Sequence, residues 1–314
     1  MVKKVLLLLA IVPSLLFATI SPTLDFNFSL NMIDEVLTPI LKMGVGVSGN
    51  TNEVKGVFKA NISATTNTVT PSLNLAYIRF KMPFFNDTFA RFTIGKSNVV
   101  LGFGSVLSAA DLVNGNNAEK RGELTVYNVN IYLPFSENFS LTPIIIYPEL
   151  DNTKLKYGGK IAYTSSSFLK ETQLLFLGNN KVQELALAFD GNLYFDFSLE
   201  AKLKFQALKD YSLSLGLSKL WQVSSQTISI PLSFKIEALY EGLTNSVTLY
   251  SNATIGLFDS FGLGLTLLTD FNQYKALVNF NYTLTNKILF TLNLGALIKE
   301  APQFLGTMYI SYTF

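Results

Sequence analysis

The chain has 314 residues, with 24 basic and 22 acidic side chains and neither cysteine nor histidine. Thiolate and imidazole chemistry are thereby excluded, and with them cysteine nucleophiles, Ser-His pairs and most zinc sites. Hydrophobic residues make up 49%, yet beyond Ala18 no apolar run reaches the roughly 18 residues that a spanning helix needs.

The opening "MVKKVLLLLAIVPSLLFA" (1–18) sets Lys3 and Lys4 ahead of an apolar stretch and Ala18 at a plausible cleavage point, the pattern of a secretory signal peptide. The remaining chain, 19–314, then carries 22 basic and 22 acidic residues. Net neutrality leaves no basic footprint for a nucleic acid. No linker or charge block divides this stretch, which reads as one domain.

A period of two begins near "TLDFNFSL" and continues to the end of the chain. "GVGVSG" at 44–49 has the glycine spacing of a dinucleotide site, but "NTNEVKGVFKANIS" follows it as turn and strand, with no helix N-terminus to take a pyrophosphate. In the third to fifth strands one face carries Lys55, Lys59, Arg79, Lys81 and Arg91 with few acids beside them. Next comes "SNVVLGFGSVLSAADLVNGNNAEKR", a connection far longer than any other, which contributes Asp111, Glu119, Lys120 and Arg121.

The alternation weakens at 139–147 and 168–178, and becomes clean again from Leu193 to Gln206, where Leu193, Phe195, Phe197, Leu199, Ala201, Leu203 and Phe205 alternate with polar residues. Asp196, Glu200 and Glu237 lie on polar faces beside Lys202, Lys204 and Lys235, and read as a solvated, charge-balanced wall. At the C-terminus Phe304, Gly306, Met308, Ile310, Tyr312 and Phe314 share one face.

The strands number about eighteen, each near the length that crosses a bilayer with tilt; sixteen or fourteen also fit the weak stretches. The expected fold is a closed antiparallel transmembrane β-barrel, all-β, of about 16 to 18 strands. A soluble sandwich would carry charge on its outward face instead. The turns fall into two alternating classes. "MPFFNDTF", "LPFSENFS", "FDGNLYF" and "LFDSFG" set aromatic residues around Asn or Asp, and with "LTNKILF" they follow even strands as tight periplasmic turns. "IDEVLTP", "TTNTVTP", "YPELDNT", "YEGLTN" and "IKEAPQ" follow odd ones.

Barrel alternation, a last strand ending in Phe and a long third loop together resemble the general porins of the bacterial outer membrane over nearly the whole mature length. "LGFGSVLSAADLVN" is similar to the Gly-rich, Ser-x-x-Asp, Asn pattern of some porin families, and the short loops elsewhere resemble porins of toga-bearing thermophilic bacteria. The resemblance implies a third loop folded into the lumen and a homotrimer. It also implies that barrel-assembly machinery recognises the C-terminal strand. The expected function is a water-filled channel for ions and small hydrophilic solutes, needing no cofactor and no catalytic group. Its constriction would set Lys55, Lys59, Arg79, Lys81 and Arg91 across from Asp111 and Glu119, with Lys120 and Arg121 nearby. The alternative is an anchoring barrel whose lumen the loop blocks.

Overall fold

The period of two folds as eighteen strands in one antiparallel sheet that closes on itself. The computed structural model describes residues 19–33, 36–85, 88–113, 125–148, 154–205, 207–224, 229–257, 260–285, 288–299 and 302–313. The expected leader, 1–18, lies outside the described residues.

The first five strands are β1 (Thr19–Ile33), β2 (Val36–Asn50), β3 (Val54–Ala64), β4 (Val69–Pro83) and β5 (Phe89–Asn98). After loop 3 (99–124) come β6 (Thr125–Pro134), β7 (Phe139–Tyr147), β8 (Lys156–Thr164), β9 (Leu169–Gly178), β10 (Gln183–Asn192), β11 (Asp196–Lys204) and β12 (Ala207–Ser224). The wall is completed by β13 (Ser229–Glu241), β14 (Ser246–Leu257), β15 (Phe261–Thr269), β16 (Tyr274–Thr285), β17 (Ile288–Ile298) and β18 (Gln303–Thr313).

Closure comes from β18 lying antiparallel to β1, in register from Asp25 with Thr313 to Ile33 with Leu305. Every strand thus has two neighbours, so the sheet satisfies its own backbone and presents no edge, as a bilayer demands. The register also fixes which side chains face out. Phe28, Met43, Phe58, Leu174, Leu199, Leu215, Leu265 and Ile310 are all exposed on the outer surface. In water such an apolar belt would drive aggregation. Hydrocarbon is its natural solvent, as on the lipid-facing side of a transmembrane β-barrel.

Turns after even strands form one rim, which carries the expected aromatic residues. Phe84 meets Phe135 edge-on at 5.4 Å, and Phe195 meets Trp221 edge-on at 6.4 Å. One boundary differs from the sequence reading. Leu193–Phe195 form a turn, not the start of a strand, because the Asn192 amide donates to Asp196 Oδ1 at 2.6 Å and the Leu193 N–H to the Phe195 carbonyl at 3.1 Å. In β2 the glycines of "GVGVSG" lie within a strand, and a Cβ at Gly44 would come 2.8 Å from Asn61 Oδ1. Gly44 and Gly46 serve close packing against side chains of the neighbouring strands.

Candidate functional site

Loop 3 enters the barrel, and its described part, 99–113, lies against the inward faces of β7 to β13. Two carboxylates hold it. Glu200 on β11 faces the lumen by strand parity. Its Oε1 accepts the N–H groups of Phe103 and Gly104, the latter at 2.9 Å, and its Oε2 accepts the Ala110 N–H at 3.1 Å and the Ser214 hydroxyl at 2.9 Å. The Ser108 hydroxyl donates to the same oxygen. Glu237 on β13 receives the N–H and hydroxyl of Ser105 at 2.7 and 3.0 Å on Oε1, and the N–H groups of Val106 and Leu107 at 2.8 Å each on Oε2.

Glu200 is 1% exposed and Glu237 3%. Buried ionised groups are tolerated when hydrogen bonds replace their water, and bonds to a charged acceptor are the stronger kind. Lys235 adds charge balance, 3.8 Å from Glu237 and donating to the Ser105 hydroxyl at 2.8 Å. Gly102 makes the approach possible: its φ of +76° suits glycine, and a Cβ there would lie 2.7 Å from Glu200 Oε1.

Beside the carboxylates the contact is apolar. Leu101, Ala110 and Leu112 of the loop are buried with Ile144 and Ile146 of β7, Leu175 and Leu177 of β9, and Ala186 and Ala188 of β10. Each buried leucine contributes about 1.5–3 kcal/mol. Lys156 closes the far end, donating to the Leu112 carbonyl at 3.2 Å. The reading of Glu200 and Glu237 as solvated wall charges therefore gives way to a structural role, because loop backbone has taken the place of water around both.

The opposite wall is different. By register Lys55 lies across from Arg79 and Lys81 across from Arg91, all inward. Like charges directly opposite on adjacent strands are destabilising. The Arg79 Nε donates to Thr93 at 3.2 Å, and the Arg91 guanidinium lies 4.5 Å from the Tyr132 ring centre. Lys59 is an exception, since its ammonium lies 2.5 Å from Asp25 of β1. Among the described residues, no carboxylate lies within ion-pair distance of Lys55, Arg79, Lys81 or Arg91.

Between this wall and the start of loop 3 is an open cavity of about 270 Å³, lined by Arg79, Arg91 and Lys160 with Thr93, Asn130, Tyr132 and Thr142. Lys160 did not stand out in the sequence, although it is the inward residue at the middle of β8. Asp111 is 1% exposed, and its carboxylate accepts the Val113 N–H at 3.3 Å. It is not among the residues lining the cavity. Glu119, Lys120 and Arg121 lie outside the described residues.

A closed wall this wide with an inward-folded third loop defines a porin-type barrel. No family model matches the sequence, and no curated protein matches it either. Solved structures share its fold. Pseudomonas aeruginosa OpdQ superposes with a TM-score of 0.65 at 6% identity, over 95% of this chain and 99% of that one. OprD from the same organism gives 0.63 at 8% identity, over 94% and 95%. Pseudomonas aeruginosa OpdK, solved with vanillate, gives 0.59 at 9% identity, over 94% and 98%. The structural neighbours are OprD/Occ outer-membrane porins, and this chain has their 18-strand fold.

Proposed function

We propose that the protein is an outer-membrane porin, a passive channel for ions and small hydrophilic solutes that favours anions. The cavity of about 270 Å³ between loop 3 and the wall carries this reading, because three cationic side chains and several hydroxyl and amide groups converge on it. Rings of one sign set ion preference in pores by raising the local concentration of the opposite ion. Lys55 and Lys81 extend the same field along the wall, whereas Lys59 is offset by Asp25. Like-charge pairs that cost stability are retained where they serve function. The loop's side of the constriction would come from Glu119, with Lys120 and Arg121, whereas Asp111 is buried within the loop and turned away from the water.

The reading includes export through the 1–18 leader, recognition of the C-terminal strand by barrel-assembly machinery, and a homotrimer. The link to porins of toga-bearing bacteria rests on the short loops alone. Nothing in the channel reading requires catalysis or a cofactor.

Single-channel recording in planar bilayers under a salt gradient tests it. Stable conductance steps with an anion-selective reversal potential are expected. The blocked-lumen alternative draws on the deep burial of Leu107 to Leu112. Purified protein that inserts without opening steps would establish that alternative and remove the channel.

A further inference from the structure

On the far side of loop 3, near the rim opposite the chain termini, is a second cavity of about 480 Å³. Its lining departs from that of the open basic wall across the loop. Ile33, Leu239, Leu268, Leu297 and Leu305 come from five strands, and in each the register directs the side chain inward. Leu107 of loop 3 completes the apolar floor, buried with Leu239. Deeper along the same strands the inward positions revert to Thr266, Asn293 and Thr307. Leu277 of β16, inward beside Thr266, is an apolar residue at that deeper level, so the apolar character is concentrated near the rim.

A water-filled wall gains nothing from leucines, whereas a site for small molecules is typically concave, of about 300–1,000 Å³, and mostly apolar with a few placed polar groups. The polar groups here carry both signs. Glu241, Asp270 and Lys275 border the cavity, with Gln273 and Gln303 between them. Asp270 also holds the 270–273 turn, accepting the N–H groups of Asn272 and Gln273 at 3.0 and 2.9 Å. A border of mixed sign gives a simple anion no advantage, in contrast to the arginine wall across the loop. It complements a molecule with both charges and an apolar part.

From this we infer that the vestibule beyond loop 3 captures small zwitterionic solutes bearing an aryl or branched alkyl group, apolar α-amino acids being the simplest of that class. The inference deepens the channel reading, since captured solute would be held at the mouth ahead of the constriction.

Equilibrium dialysis with the detergent-solubilised full barrel tests binding whether or not the protein conducts. Radiolabelled L-phenylalanine is expected to be retained at least about tenfold more strongly than L-serine, the difference that about 1.4 kcal/mol of apolar contact produces. Leu268→Ser combined with Leu297→Ser and Leu305→Ser should erase that preference. Leu265→Ser, which changes a lipid-facing leucine, should keep it. If the triple variant fails to fold, as judged by heat-modifiable migration, Leu297→Ser alone should still narrow the ratio. Equal retention of the two amino acids by the wild type, or an unchanged ratio in the folded variants, overturns the inference. Retained phenylalanine binding in a barrel that never conducts would remove the channel reading and leave this one standing.

Discussion

The two lumen walls that loop 3 separates share the same strand geometry and the same inward parity, yet they are different environments. Under the loop, β7 to β13 present Ile144, Ile146, Leu175, Ala186 and Ala188 together with Glu200 and Glu237, all buried. Across from it, β3 to β6 present Lys55, Arg79, Arg91 and Asn130 around open space. Facing inward in a barrel is thus not a single condition. Whether a position is dry or wet depends on a segment far away in sequence, and the same residue type changes role accordingly. A glutamate under the loop is a fastener, whereas a lysine facing open water adds to the positive field of the wall, the field that ions would cross on the channel reading.

Removing the fasteners should erase the difference most completely. The double variant Glu200→Leu, Glu237→Leu strands the N–H groups of Phe103 to Leu107, where each charge-assisted bond is worth about 1.5–3 kcal/mol. Limited proteolysis should then cut within 99–113 while the strands stay protected, and recordings should show larger, noisier conductance steps. An uncut loop would mean that the apolar contacts alone hold it.

A smaller effect is expected at the wet wall. Changing Lys55, Arg79, Lys81 and Arg91 together to Gln should move the reversal potential toward cation preference. The wild-type preference itself should weaken as salt rises and the Debye length falls to about 3 Å at 1 M. An unchanged reversal potential would remove the basic wall from the permeation path. Gly102→Ala tests the fastening more locally, since the added methyl must displace the side chain of Glu200, Ser108 or Ala110. A partial version of the proteolysis phenotype is expected, with barrel stability unchanged. The smallest change should come from Asp25→Asn. Freeing Lys59 adds one cation to the wall, so the reversal potential should shift slightly further toward anions, opposite in sign to the Gln series.

Much of the barrel was legible in sequence because a lipid-facing residue and a lumen-facing residue alternate with period two. Thus the shared face of Phe304 to Phe314 marks a final strand, and the aromatic turns can be assigned to one rim. The two weak stretches became β7 and β9, and their ambiguity has a physical cause. Loop 3 covers their inward faces, so Ile144 and Ile146, like Leu175 and Leu177, are apolar where the outward faces are apolar too, and the alternation vanishes. The inward direction of Lys55, Lys59, Arg79, Lys81 and Arg91 was equally readable from parity. The fastening was not. Glu200 and Glu237 occupy ordinary inward positions among lysines, and their partners are mainly main-chain N–H groups roughly a hundred residues earlier, which have no side-chain signature.

That choice of partner has a consequence for how the loop can vary. Glu200 and Glu237 grip mostly main-chain N–H groups at Phe103 to Leu107 and at Ala110, a handle that any residue except proline offers. Exchanges at Phe103 or Val106, which are only partly buried, can therefore reshape the surface turned toward the lumen while the anchorage stays in place. The barrel and its insert are in this respect separable parts, and the specificity of one can be rewritten without redrawing the other.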